Sequence, residues 1–128
     1  MADMKGCISQ LLEDYRRAFD DAEAEKIADC YHTPCITVRG DGTFHLLQDR
    51  QDVVDFLGKV ARQYRDEGMA GGVYSIIDIQ AIGTKCALVT VDWALLNAEG
   101  QPIREWRQSY NVIKSGEKCR FYVSTFHV

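Results

Sequence analysis

The residues that could move a proton in this chain are few. His127 stands near the end of a strand-like segment, and Asp78 stands on a neighbouring one. If both face inward they form a dyad able to work as general acid and base. Tyr15 lies on the apolar side of a helical pattern; its phenol either donates to a ligand oxygen or is a core tyrosine reaching water. Arg39 carries a planar fork that suits a carboxylate, or it is a surface arginine, or it pairs with a helix acid. A guanidinium cannot act as a base. Trp93, Trp106, Gln108 and Tyr110 fall on alternating positions of two long segments, and alternate residues of a strand share a face. With Phe19 and Phe56 from helical stripes, Tyr15, Arg39 and these four make up the expected ligand contacts. Cys30, His32, Cys35 and His45 are close in sequence, but the first three straddle Thr33-Pro34 and lack the paired spacing of a closed zinc site. No metal and no cofactor are expected.

The elements that must position these side chains follow from periodicity. Ile8, Leu11, Leu12, Tyr15, Phe19 and Ala22 recur at helical steps, with Glu13, Asp14, Arg16 and Arg17 opposite. Asp20-Asp21 interrupts this helix. A second, shorter one follows, with Ile27, Ala28 and Tyr31 on one face, ended by Thr33-Pro34. Cys35 to Arg39 and Thr43 to Leu47 read as a hairpin around Gly40-Asp41-Gly42. Asp49 caps a third helix whose stripe is Val53, Phe56, Leu57, Val60, Ala61 and Tyr64, and Gly68 stops it. After Gly71-Gly72 the period changes to two. Val73–Ile82, Cys86–Leu96, Ile103–Lys114 and Cys119–His127 then form an antiparallel meander with short connectors.

On the second of these strands Ala87, Val89, Val91, Trp93 and Leu95 are expected to face the helices, and Cys86, Leu88, Thr90, Asp92, Ala94 and Leu96 to face outward. That outward row is apolar enough to suggest a covering partner subunit. The row Arg104, Trp106, Gln108, Tyr110 and Val112 is expected inward on the next strand. On the last strand either Phe121, Val123, Thr125 and His127 or Tyr122, Ser124 and Phe126 face inward, and a bulge would reverse the phase.

The 128 residues, 46% hydrophobic and 27% charged, suit one domain spanning 1–128. A formal net charge of -4 carries no footprint for phosphate backbones, so nucleic acid is not an expected partner. No apolar run approaches the roughly 20 residues that span a bilayer, and Met1–Gly6 has no leader pattern, so a cytoplasmic protein without membrane contact is expected. The five cysteines are odd in number and read as free, mostly buried thiols.

The order of elements resembles the nuclear transport factor 2-like superfamily. "LLEDYRRAFDDAEAEKIADCYHTPCITV" is similar to its opening, "DRQDVVDFLGKVARQY" to its third helix, and "CALVTVDWALL" with "RQSYNVIKSGEKCRFYVSTFHV" to its last strands. Among subfamilies the SnoaL-like group is the most similar. The resemblance implies an α+β fold in which three N-terminal helices pack in the concave face of a strongly curved, mainly antiparallel sheet, a cone with an apolar pocket. It also implies homodimers through the sheet. In that superfamily ketosteroid isomerase has a tyrosine at a place comparable to Tyr15 and a carboxylate base near the end of the first strand. Here that stretch reads "CITVRGDG", with Arg39 near the base's place, and Gln108 or Tyr110 stands where the isomerase keeps a buried acid. The expected function is binding of a small apolar or aromatic molecule in the pocket. The alternatives are a SnoaL-like isomerase, cyclase or lyase, and a protein–protein adaptor working through its sheet.

Overall fold

The computed structural model describes residues 3–127; Met1, Ala2 and Val128, which belong to the expected domain span and leader-free start, lie outside it. Helix α1 (Met4–Asp20) starts at Asp3, whose carboxylate accepts the Gly6 N–H, so one orphan donor of the first turn is satisfied. Its apolar stripe buries Ile8, Leu11, Leu12 and Tyr15. Helix α2 (Ala24–Asp29) is short and buries Ile27 and Ala28. Helix α3 (Arg50–Asp66) is capped by Asp49, which accepts from Asp52 N as expected, and Gly68 takes the left-handed conformation, at φ 103°, just beyond its end.

Six strands make one sheet: β1 (Tyr31–Val38), β2 (Phe44–Leu47), β3 (Gly71–Ile82), β4 (Cys86–Leu96), β5 (Pro102–Ser115) and β6 (Lys118–Phe126), in the order β2-β1-β6-β5-β4-β3. The meander is as expected. Two features are not. β1 runs parallel to β6, the one parallel pair in the sheet. β1 also begins at Tyr31, so Tyr31 leaves the second helix, and Thr33-Pro34, a cis peptide, lies inside the strand.

The strongly curved cone expected from the resemblance is a correction. The sheet is open: β2 and β3 are its two edges, they do not pair, and it is not strongly curled or closed. The helices leave the far part of β3 uncovered, and most of Ser75–Ile82 is exposed. With no helix to wrap there, the strands keep the ordinary twist of hydrogen-bonded neighbours. Three helices on one face of the sheet stand as expected, and the class is α+β.

The core lies between that face and the helices. Ala87, Val89 and Val91 are fully buried and Trp93 and Leu95 nearly so, as the alternation predicts. On β6 the phase changes: Val112 pairs with Phe121, whereas Tyr110 pairs with Ser124 and Gln108 with Phe126. The extra residue is a bulge. It turns Phe121 inward first, then Ser124 and Phe126. Cys7 and Cys119 form a disulfide between α1 and β6, which corrects the expectation of five free thiols; Cys30, Cys35 and Cys86 are free. The two partners are 112 residues apart in sequence, so only the packing of α1 on β6 brings them together.

Candidate functional site

The aromatic side chains gather where α1 crosses the inner face. Tyr15 stands edge-on to Phe121 (4.9 Å between centroids), Phe19 (5.0 Å) and Tyr31 (5.8 Å). Edge-to-face contact sets positive ring edges against negative faces. The polar atoms of these rings find partners. The Tyr15 and Tyr31 hydroxyls are 3.1 Å apart, Trp93 Nε1 donates to the Tyr110 hydroxyl (2.9 Å), and Ser124 Oγ donates to Thr37 Oγ1 (3.0 Å). Among the described residues no buried side-chain polar atom lacks a partner. Burial pushes the Tyr15, Tyr31 and Tyr110 phenols above their ordinary range, since a tyrosinate would lose its hydration there. These phenols stay protonated at neutral pH and act as hydrogen-bonding groups.

A cavity of about 40 Å³ opens from this cluster toward the C-terminal ends of α1 and α3. Of the expected contacts, Tyr15, Phe19, Arg39, Trp93, Trp106, Gln108 and Tyr110 all line it. Phe56 does not; its ring lies against His45, at 4.9 Å. A space of this size holds about three waters and is far below the roughly 300 Å³ or more of a small-molecule site. What fills the rest is the mouth. Trp106 stacks on Phe126 (5.8 Å, 12° between planes), and the Arg39 guanidinium lies over that ring, 4.4 Å from its centroid. Trp106 Nε1 donates to Gln108 Oε1 (2.8 Å). A wider groove of about 520 Å³ runs between α1, α2 and the β5–β6 turn, but its lining mixes Asp14, Asp21, Asp29 and Glu117 with Arg17, Lys26 and Lys118. No aromatic side chain lines it.

The expected acid–base pair is not at the cavity. The β6 bulge sends His127 to the outer face, where Nε2 is 2.7 Å from Ser109 Oγ. Asp78 is exposed and pairs in register with Thr90, whose hydroxyl meets Ser109 on that same outer face. The carboxylate that does line the cavity is Asp20, which sequence reading took only as an interruption of the helix. Burial raises its pKa above the ordinary carboxylate value. Asp20 Oδ1 accepts Gly72 N–H (2.9 Å) and Oδ2 accepts Arg16 (2.7 Å), so both oxygens are engaged. Its spacing, four residues after Arg16 on one helix face, was the available signal. Phe126, Ser124 and Tyr64 also line the cavity. The first two belong to the β6 row that alternation alone left open. Cys30 and Cys35 are buried, with thiols pushed up to about 12 and about 11 by burial, while His32 is exposed. They present no joint ligand set.

A family model described as "NTF2-like protein (DUF6841)" matches residues 3–127. No curated protein matches. Among solved structures, a domain of unknown function with a cystatin-like fold from Nostoc punctiforme superposes with a TM-score of 0.76 at 15% identity, covering 95% of this chain and 75% of that one. An NTF-2 like protein of unknown function from Shewanella oneidensis gives 0.74 at 16% identity, covering 95% and 97%. An NTF2-like protein of unknown function from Shewanella baltica gives 0.64 at 15%, covering 96% and 91%. At such identities the likeness establishes the fold and leaves chemistry to the site.

Proposed function

The chain belongs to this NTF2-like family, and from that premise we propose that it binds a small, flat, mostly apolar molecule in the aromatic-lined cavity. The observation that carries the reading is convergence: seven side chains from α1, β4, β5 and the residue that follows β1, chosen from the sequence for their chemistry, line one space. Binding requires the mouth to open. Phe126 and Trp106 are both half-buried, so rotating these two rings enlarges the cavity at less cost than moving the buried floor. The deeper rings are packed on all sides and hold the floor rigid.

An acid–base enzyme is less well supported. Asp78 and His127 lie away from the cavity, and both Asp20 oxygens are already bound. The finer SnoaL-like placement belongs to the same proposal and rests on the pattern of the last strands. We further propose a homodimer through the outer sheet face. There, exposed Val73 beside Ala94 and Leu96 at one end, and exposed Ile82 near Leu88 at the other, flank the polar Thr90 and Asp92, so the apolar surface falls in two parts of the kind that can mark contact sites.

Tryptophan fluorescence tests the binding reading, because Trp93 and Trp106 both border the cavity. Steroids, polyketides and aromatic acids should include compounds that quench saturably, with a smaller response in Trp106→Leu. A flat response to every compound overturns it.

A further inference from the structure

The cavity's charges are Arg16, Asp20 and Arg39. Arg16 pairs with Asp20 at 2.7 Å and also with Glu13. Arg39 has no carboxylate partner among the described residues. Arg39 is therefore the one lining charge that no carboxylate among the described residues pairs with directly, inside a chain of net charge -4. A half-buried guanidinium that meets ring faces and no carboxylate keeps a preference for an anion, because water reaches it poorly and ring faces balance its charge only in part.

Its neighbours say what kind of anion. Val38 pairs with Thr125, and Gln108 pairs with Phe126, so Arg39, Phe126 and Gln108 stand side by side on three adjacent strands. The Phe126 ring packs against both the Arg39 guanidinium, 4.4 Å from its centroid, and the nearly parallel Trp106 indole. That is the environment of a bound aromatic ring. Tyr64 completes the wall, with its hydroxyl in hydrogen-bonding reach of Arg39. Gln108 gives its carbonyl to Trp106, which leaves its amide Nε2 as the donor end of the side chain.

Resting on the reading of this cavity as a binding site, we infer that the ligand is a small aromatic carboxylic acid. Its ring replaces Phe126 against Trp106, and its carboxylate is held by Arg39 with Gln108 Nε2 as second donor. Phe126 is then a resident plug that keeps the seat dry until the ligand displaces it. An unsubstituted hydrocarbon would leave the guanidinium unpaired, and a cationic ligand would be repelled.

Calorimetric titration at neutral pH with 1-naphthoate and with its neutral amide, 1-naphthamide, tests this. The acid should bind the native chain about tenfold or more tighter than the amide, the range of a charge-assisted hydrogen bond. In Arg39→Gln that preference should vanish while the amide's affinity holds. Arg39→Lys, which keeps the charge and loses the fork, should retain a reduced preference and covers the case in which the glutamine variant fails to fold. Equal binding of acid and amide by the native chain overturns the carboxylate assignment and leaves the cavity reading standing. So does a preference that survives in Arg39→Gln. Absence of binding by either compound overturns both.

Discussion

Two phenylalanines on one strand separate core from plug. Phe121 is fully buried, with the rings of Tyr110 at 4.4 Å, Tyr15 at 4.9 Å and Tyr31 at 5.4 Å. Truncating such a ring to alanine removes its transfer free energy and leaves a cavity that rigid neighbours cannot fill, at a cost of about 3–5 kcal/mol. For a domain of 128 residues, about 1 kcal/mol moves Tm by roughly 3–4 °C, so Phe121→Ala should lower Tm by roughly 9–20 °C. Phe126 packs against Trp106 and Arg39 and is only half-buried. Its truncation should cost about 1 kcal/mol, or roughly 4 °C, as for a partly exposed ring. Thermal melts followed by circular dichroism and by calorimetry read both values and check that the transition is two-state. Phe126→Ala should also enlarge the cavity and admit apolar ligands more readily than the native chain does. Equal losses from the two variants would refute the reasoning, because Phe126 would then be core. A larger loss from Tyr122→Ala than from Phe121→Ala would refute the strand phase itself.

Burial raises the pKa of all six tyrosines, Tyr15, Tyr31, Tyr64, Tyr74, Tyr110 and Tyr122, above the ordinary phenol value. The folded chain holds protons that the unfolded chain gives up above about pH 10, so this contribution to stability is intact below that pH and falls as pH rises further. Absorbance at 295 nm should lag free tyrosine and climb together with unfolding; an ordinary titration curve in the native state contradicts it. Leu88→Lys, on the outer row of β4, should convert a sedimenting dimer to monomer without lowering ligand affinity, and a native chain that sediments as monomer at micromolar concentration rejects the interface. Asp78→Asn and His127→Ala should leave cavity binding within about twofold of the native value, as surface changes away from the site do; a loss above tenfold would return them to the site.

Much of the arrangement was legible because burial follows period. β4 was bounded at Cys86 and Leu96 from alternation alone, and Asp49 and Gly68 announced the ends of α3 through capping chemistry. The inward row of β5 was read from its aromatics. What was hidden depends on contacts distant in sequence. The bulge on β6 exchanges the faces of the last strand, and nothing local in "CRFYVSTFHV" marks it. That exchange brought Phe126 to the mouth and carried His127 outward. Tyr31 has helical spacing from Ile27 but belongs to β1, because pairing with Phe121 outweighs one more turn of α2. Asp20 could be seen as an acid but not as a cavity wall, since its burial is made by Gly72 and Arg16. The curvature expected from the family resemblance failed for a physical reason: helices that leave half of β3 uncovered give the sheet nothing to close around.

The binding of an aromatic acid in this cavity is tested most directly by ¹H–¹⁵N NMR of the native chain during titration with 1-naphthoate. The two indole N–H signals, from Trp93 and Trp106, report the floor and the mouth of the same space. The account predicts that Trp106 Nε1 and the Arg39 guanidinium N–H signals shift saturably together, with Phe126 amide broadening and no change at Leu88 or Val123 on the outer face. Shifts confined to the outer face, or indole signals that stay fixed at saturating ligand, would contradict it.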